Sequence, residues 1–179
     1  MADSRIYQFV FGHCDLLSAN VIIPEDSAIT QYELNHHISF IDYEFAMPCP
    51  AAFDLANHFC EWGGFECNYE MLPTRAVRRA FVEQYLQSYN LHLAKGSATA
   101  SASVDSLLAE IDRYRGIPGL YWGLHALIET SISHVEFDWA AYAKLRLKGF
   151  WDWRGELDGT RANEGSEMPH REQRWAQDI

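Results

Sequence analysis

The stretch Gly12-His-Cys-Asp-Leu-Leu-Ser-Ala-Asn20 sets an aspartate, Asp15, five residues before an asparagine, Asn20, and then leads into an apolar run. In phosphoryl transfer these two residue types divide the work. The aspartate orients the acceptor hydroxyl and takes its proton, and the asparagine side-chain oxygen holds Mg²⁺ on the nucleotide phosphates. Phe40-Ile-Asp-Tyr-Glu44 follows, with Asp42 at the end of the next apolar run, 27 residues after Asp15. That is where a second magnesium ligand belongs. His13 would prop the loop. A lone aspartate in a turn is structural more often than catalytic. The reading therefore rests on the ordered set: His-x-Asp-x-x-x-x-Asn, strand, long turn, strand, Ile-Asp.

A second group lies in Ala52-Phe-Asp-Leu-Ala-Asn-His-Phe-Cys-Glu-Trp62. Its apolar spacing is helical, so Asp54, His58 and Glu61 share one face at i, i+4 and i+7. Phe53, Phe59 and Trp62 make this helix too aromatic for a merely solvated surface. A carboxylate beside aromatic rings suits a small organic cation.

The elements that must position these residues follow from pattern. Asn20–Ile23 and Ile38–Ile41 read as the two strands of a hairpin with an elongated tip, on which His36 and His37 are solvated loop residues. Helix begins after Pro50 and ends at Gly63-Gly64. A second helix runs from Thr74 to about Leu93, with Val77, Phe81, Tyr85 and Tyr89 as its core stripe. Residues 95–103 are small and polar, a flexible loop. Helix resumes near Asp105, breaks at Gly116-Ile-Pro118, covers about Gly119 to His134, and returns from Trp139 to Trp153 under an Asp138 cap. From Gly155 the chain is polar, either wrapped on the surface or disordered, with Trp175 as the residue that argues for docking.

Composition sets the outer bounds. The 179 residues fit one domain. Lys plus Arg is 14 and Asp plus Glu is 25, so the formal charge is −11, which disfavours a nucleic-acid partner. No apolar run reaches the ~18 residues of a membrane span, and no secretory signal opens the chain. Cys14, Cys49, Cys60 and Cys67 form no Cys-x-x-Cys pair and read as free thiols in a reducing cytosol. The expectation is a cytoplasmic protein.

Taken together, Gly12–Asn20, Phe40–Glu44 and the word Phe53-Asp-Leu-Ala-Asn-His-Phe-Cys-Glu-Trp62 resemble the choline/ethanolamine kinase family. Leu16-Leu17 after the aspartate brings them nearer the ethanolamine kinase branch in its fungal form. Tyr121-Trp-Gly-Leu-His-Ala-Leu-Ile128 and Val135-Glu-Phe-Asp-Trp-Ala-Ala-Tyr142 resemble the family's substrate-pocket helices, and the likeness runs from about residue 8 to 153. It implies an α+β, mostly α chain: the C-terminal lobe of a protein-kinase-like fold with a short catalytic β-hairpin. Residues 1–153 would form the lobe, with the hairpin at 12–45 and the pocket helices at 51–153, and 154–179 a polar tail. It implies ATP- and Mg²⁺-dependent phosphorylation of ethanolamine to phosphoethanolamine, the first step of the CDP-ethanolamine route to phosphatidylethanolamine. Asp15 would then be the base, and Asn20 and Asp42 the magnesium ligands. Glu61 would face the substrate ammonium, and Trp122, Phe137 and Tyr142 would line an aromatic wall. His13, Asp54 and His58 would support them.

Three positions depart from the family pattern: Cys14 for asparagine, His125 for a second tryptophan, and Phe45 for tyrosine. The histidine should weaken a cage for trimethylammonium and so favour ethanolamine over choline. No Gly-rich loop or strand lysine fits before Asp15, and the only lysines are Lys95, Lys144 and Lys148. The chain is therefore expected to be a fragment with negligible activity by itself. An apolar face near the hairpin should be prone to association, a homodimer being one form it could take. Choline kinase, an aminoglycoside-type phosphotransferase and a non-catalytic binding module are the alternative readings.

Overall fold

The computed structural model describes residues 9–23, 38–92 and 103–179. Its strands are β1 (Phe9–Gly12), β2 (Val21–Ile22), β3 (Ser39–Phe40) and β4 (Met47–Pro50). β2 and β3 pair antiparallel with Val21 opposite Phe40, which is the expected hairpin. The Ile41 N–H extends the pairing by donating to the Asn20 carbonyl at 3.1 Å. β1 and β4 form a second antiparallel pair, with Val10 opposite Cys49 and Gly12 opposite Met47. That pair left little trace in the sequence, because β4 carries two prolines. Proline cannot donate to a ladder and is tolerated only at sheet edges, and a two-stranded sheet is all edge. The hairpin tip with His36 and His37, and all but Ser103 of the 95–103 loop, lie outside the described residues.

The helices among the described residues are α1 (Ala51–Glu61), α2 (Arg75–His92), α3 (Val104–Tyr114), α4 (Ile117–Ile132), α5 (Trp139–Leu157), α6 (Thr160–Asn163) and α7 (His170–Ala176). The chain is thus α+β and mostly helical. α1 is the central element. Ala52, Leu55, Ala56, Phe59 and Cys60 recur at helical spacing and build the main core with α2, α3 and α7. Its other side turns Phe53 toward Cys14 and Cys49, beneath the loop that carries Asp15. No helix among the described residues is long and apolar enough to cross a membrane.

α4 and α5 pack at very close range, and two glycines permit it. A Cβ on Gly119 would lie 2.7 Å from the Arg146 carbonyl oxygen, and one on Gly123 would lie 2.7 Å from Leu147 Cγ. Pro118 sits in the first turn of α4, where its missing N–H costs nothing. The helix therefore starts at Ile117 rather than at Gly119. Asp138 caps α5 as expected, its carboxylate accepting from the Ala141 N–H at 2.9 Å.

Two expectations shift. The buried stripe of α2 is Arg78, Val82 and Leu86, while Val77 is 42% exposed and Phe81 and Tyr85 are only partly buried. The stripe turns by one residue because Arg78 finds partners inside. Its guanidinium lies 4.0 Å from the Trp175 ring and donates to the carbonyls of Pro73 and Trp175 at 2.7 and 2.9 Å. Burial pushes its pKa down to about 10. At the other end, α5 runs continuously through residues 153 and 154 to Leu157. Gly159, with φ of 76°, makes the next turn. Beyond it, Trp175 enters the main core and donates to Asp112 Oδ1 at 2.8 Å. The carbonyls of Gln177 and Asp178 accept from the N–H groups of Arg75 and Ala76 at the start of α2. The segment is polar because Arg171 and Glu172 are buried with their charges paired.

Candidate active site

The loop that carries Asp15 is held by its backbone, and α1 does most of the holding. Asp54 accepts from the N–H groups of His13 and Cys14 at 3.3 and 2.8 Å. Asn57, fully buried, donates to the Cys14 carbonyl at 2.9 Å. His58 Nδ1–H donates to the Leu16 carbonyl at 2.8 Å, and its Nε2 accepts from the Trp62 indole at 3.3 Å. Burial pushes the His58 pKa down, in keeping with this neutral tautomer. His13 reaches the other way, Nε2 to the Ile41 carbonyl at 2.9 Å, with its ring 4.6 Å from that of Tyr43. It thereby ties the loop to the segment before Asp42.

Asp15 is 8% exposed. Burial, then the nearby Glu61 carboxylate and, more weakly, that of Asp42, push its pKa up to about 6. Asn20 counters part of this. Its Nδ2 donates to the Asp15 carbonyl at 2.8 Å and contacts Asp15 Oδ2 at 3.3 Å. Because that nitrogen serves the loop, the amide oxygen is the atom left for a ligand. Asp42 is exposed and left-handed, with φ of 65°. A base with pKa near 6 is ionised at neutral pH yet still attracts a proton, which suits general-base work.

Glu61 closes the same face of α1. The Nη2 of Arg146 lies 2.9 Å from its Oε1 and 3.0 Å from its Oε2. The hydrogen bond goes to Oε2, and Oε1 is buried without a donor. Burial alone would lower the Arg146 pKa, and the Glu61 carboxylate together with Cys67 and Tyr142 more than reverses that. Arg146 Nε also donates to the Tyr142 hydroxyl at 2.8 Å. Arg146 carried no sequence signal, since its partner is 85 residues away.

Beyond Glu61 stands a wall of rings. Trp122 is buried and donates its indole N–H to Asn57 Oδ1 at 2.8 Å. Phe45 meets Trp122 edge to face at 5.1 Å. Phe137 contacts Trp139 at 4.7 Å and Tyr142 at 5.5 Å, and Phe65 lies 5.9 Å from both Phe137 and Tyr142. His125, 5.6 Å from Trp122 and 6.1 Å from Trp139, joins these groups, so the three aromatic residues expected here, Trp122, Phe137 and Tyr142, belong to one continuous network of rings. Phe65 and Trp139 join it without having been singled out in the sequence. Trp139 lies one residue past Asp138, in a word whose spacing pointed to Phe137 and Tyr142.

The model for choline/ethanolamine kinases matches residues 3–151. The chain belongs to this family. It is 31% identical over 144 residues to a probable ethanolamine kinase of Nematostella vectensis. It is 32% identical over 148 residues to a probable choline kinase 1 of Arabidopsis thaliana. Each match covers 79% of this chain but 39% of the relative, so the chain spans about two fifths of the length of these kinases. A Plasmodium vivax ethanolamine kinase superposes with a TM-score of 0.62 at 30% identity, covering 79% of this chain and 33% of that one. The fold is therefore that of the C-terminal lobe of a choline/ethanolamine kinase.

Seen against its family, Cys14 has a local explanation. Its side chain packs away from the loop, Sγ 3.6 Å from Cys49 Sγ, and burial pushes its pKa up to about 12. The loop hydrogen bonds use the Cys14 backbone, so the change of side chain leaves them intact. All four cysteines are free thiols.

Proposed function

We propose that this site binds a small primary amino alcohol and sets its hydroxyl for phosphorylation by ATP, with ethanolamine preferred over choline, in a cytoplasmic enzyme. Asp15 would accept the hydroxyl proton. Asn20 Oδ1 and the Asp42 carboxylate are hard oxygen donors of the kind Mg²⁺ takes. Among the described residues no cluster of three His, Cys, Asp or Glu could hold a metal. Mg²⁺ is commonly held by one or two carboxylates together with substrate phosphates and water. When bound, it would neutralise charge on the phosphates. His13, Asp54 and His58 hold the backbone beside the base. Glu61 Oε1, buried with no donor of its own, would receive the ammonium, and Trp122, Phe137 and Tyr142 would flank it.

One observation supports this reading above the rest. A single helix, α1, both pins the loop of a buried carboxyl with raised pKa and carries the carboxylate beside the aromatic wall. The base and the cation site are thereby kept at a fixed separation, as a short two-ended substrate requires. Preference for ethanolamine rests on Glu61 Oε1, which accepts no hydrogen bond from Arg146, and on His125. A primary ammonium supplies N–H donors to such atoms and a quaternary one does not.

Titration calorimetry of the chain with ethanolamine and with choline at pH 7.5 tests the proposal. Ethanolamine should bind at least about tenfold tighter, and Glu61→Gln should cost about tenfold, or ~1.4 kcal/mol. Equal binding of choline would favour the choline kinase reading, and no binding of either amine would overturn both. With ATP, Mg²⁺ and ethanolamine, the 179-residue chain alone should form negligible phosphoethanolamine.

A further inference from the structure

A small cavity lies between the end of α1, the loop that follows it, α4, α5 and α7. About 20 Å³ of it is open to the centre of a water-sized guest. One water needs about 10–15 Å³ by that measure, so the cavity takes a single water or a single ion. Its polar side chains are Cys60, Cys67, Tyr69, Arg146 and Arg171, and among the described residues that line it there is no carboxylate and no side-chain amide.

All of these polar side chains carry donors, the thiols weak ones. The two guanidiniums are deeply buried, with side chains 5% and 6% exposed. Arg146 spends Nη2 on Glu61 and Nε on the Tyr142 hydroxyl. Arg171 spends Nη1 on Glu172 and Nη2 on the Arg115 carbonyl. Among the described residues, Arg146 Nη1, Arg171 Nε and the Tyr69 hydroxyl make no hydrogen bond. Glu172 also serves Arg115, so the ion pairs closing around the cavity set three guanidiniums against the carboxylates of Glu61 and Glu172. One positive charge is left in excess. Gly149 keeps the space before these donors open: a Cβ there would lie 3.6 Å from Arg171 Nε and 3.6 Å from the Tyr69 hydroxyl. Burial pushes the Tyr69 pKa up to about 12 and pushes the Cys60 and Cys67 thiols up, so none of the three supplies a negative charge near neutral pH.

We propose that this cavity binds one small monovalent anion of the size of chloride, held by Arg146, Arg171 and Tyr69. A water would need acceptors for its own hydrogens, and the side chains here offer little beyond thiol sulfur. A halide only accepts. The anion and Glu61 then share the charge of Arg146. Less of that charge is left to neutralise Glu61, so the anion and an ammonium at Glu61 favour each other's binding, equally in both directions. This coupling, unlike the anion site itself, rests on the amino-alcohol reading above.

Thermal unfolding of the intact chain in sodium chloride and in equimolar sodium gluconate tests the site. A halide held only by the folded protein should raise Tm by about 2–4 °C at about 200 mM chloride. Tyr69→Phe removes one donor, and Gly149→Ala places a methyl in the cavity without altering a charge. Each variant should lose at least about half of the chloride gain. An equal gain in both variants, or no gain in the natural chain, would overturn the site. Calorimetry then measures the coupling: ethanolamine affinity should rise about threefold when chloride replaces gluconate. A chloride gain with ethanolamine affinity unchanged would overturn the coupling. Ethanolamine binding in neither salt, with the chloride gain intact, would overturn the amino-alcohol reading and the coupling and leave the anion site standing.

Discussion

Asp15 holds its proton more tightly in the folded protein than an ordinary carboxyl, with a pKa raised from 3.8 to about 6 by burial and then by Glu61. The sign of the consequence follows. The folded state binds the proton better than the unfolded chain, so this group favours folding below about pH 4, and that contribution is lost as pH rises through 6. At pH 7.5 the buried charge costs about 1–3 kcal/mol. Asp15→Asn should therefore gain stability relative to the natural chain by about that amount between pH 4 and pH 7.5. Urea denaturation in metal-free buffer measures it, and a difference that stays constant across that range would refute the assignment. The residues that make up this centre, Asp15, Asn20 and Asp42, could be found in the sequence because local spacing and chain order carry them. Asn57 could not. It stood inside a helical word as one more polar residue, and its importance comes from two partners, Cys14 and Trp122, far away in the chain.

At the scale of elements, the contact between α4 and α5 sets where Arg146 stands, and through it Glu61. Gly119 faces a backbone oxygen, which cannot move away, whereas Gly123 faces the flexible side chain of Leu147. Gly119→Ala should therefore destabilise more than Gly123→Ala. The first should cost about 2–3 kcal/mol and the second about 1, read as shifts of the urea midpoint. Reversal of that order would mean that the helices do not meet here. Helix positions were legible from periodicity and caps, as Asp138 illustrates, whereas Pro118, read as part of a break, lies in the first turn of α4. The inward face of α2 was not. A buried arginine defies an apolar stripe, and Arg78 is accounted for in large part by Trp175, 97 residues further on.

At the scale of the molecule, the last elements lock the main core. Trp175→Ala should cost about 3–5 kcal/mol by opening a cavity and by removing the ring beside Arg78 and the indole N–H that donates to Asp112. Trp151→Ala, at a residue 65% exposed, should stay within about 0.5 kcal/mol. Chemical denaturation of the two variants makes the comparison, and equal losses would mean that α7 does not dock. The strands show a different character. Phe9, Phe11, Ile22, Ile23, Phe40 and Ile41 are exposed around the strands, which agrees with the apolar face expected near the hairpin. Composition alone could not place that face, because the same residue types also build the interior. The single amide of Asn57 sets a limit on how this molecule can move. It grips the loop before Asp15 with one end and Trp122 with the other. A hydrogen bond is lost within about half an ångström of stretch. Any closing motion must then carry the base and the aromatic wall as one rigid body. The His13 bond to the Ile41 carbonyl and the Ile41 N–H bond to the Asn20 carbonyl tie the segment before Asp42 into the same body.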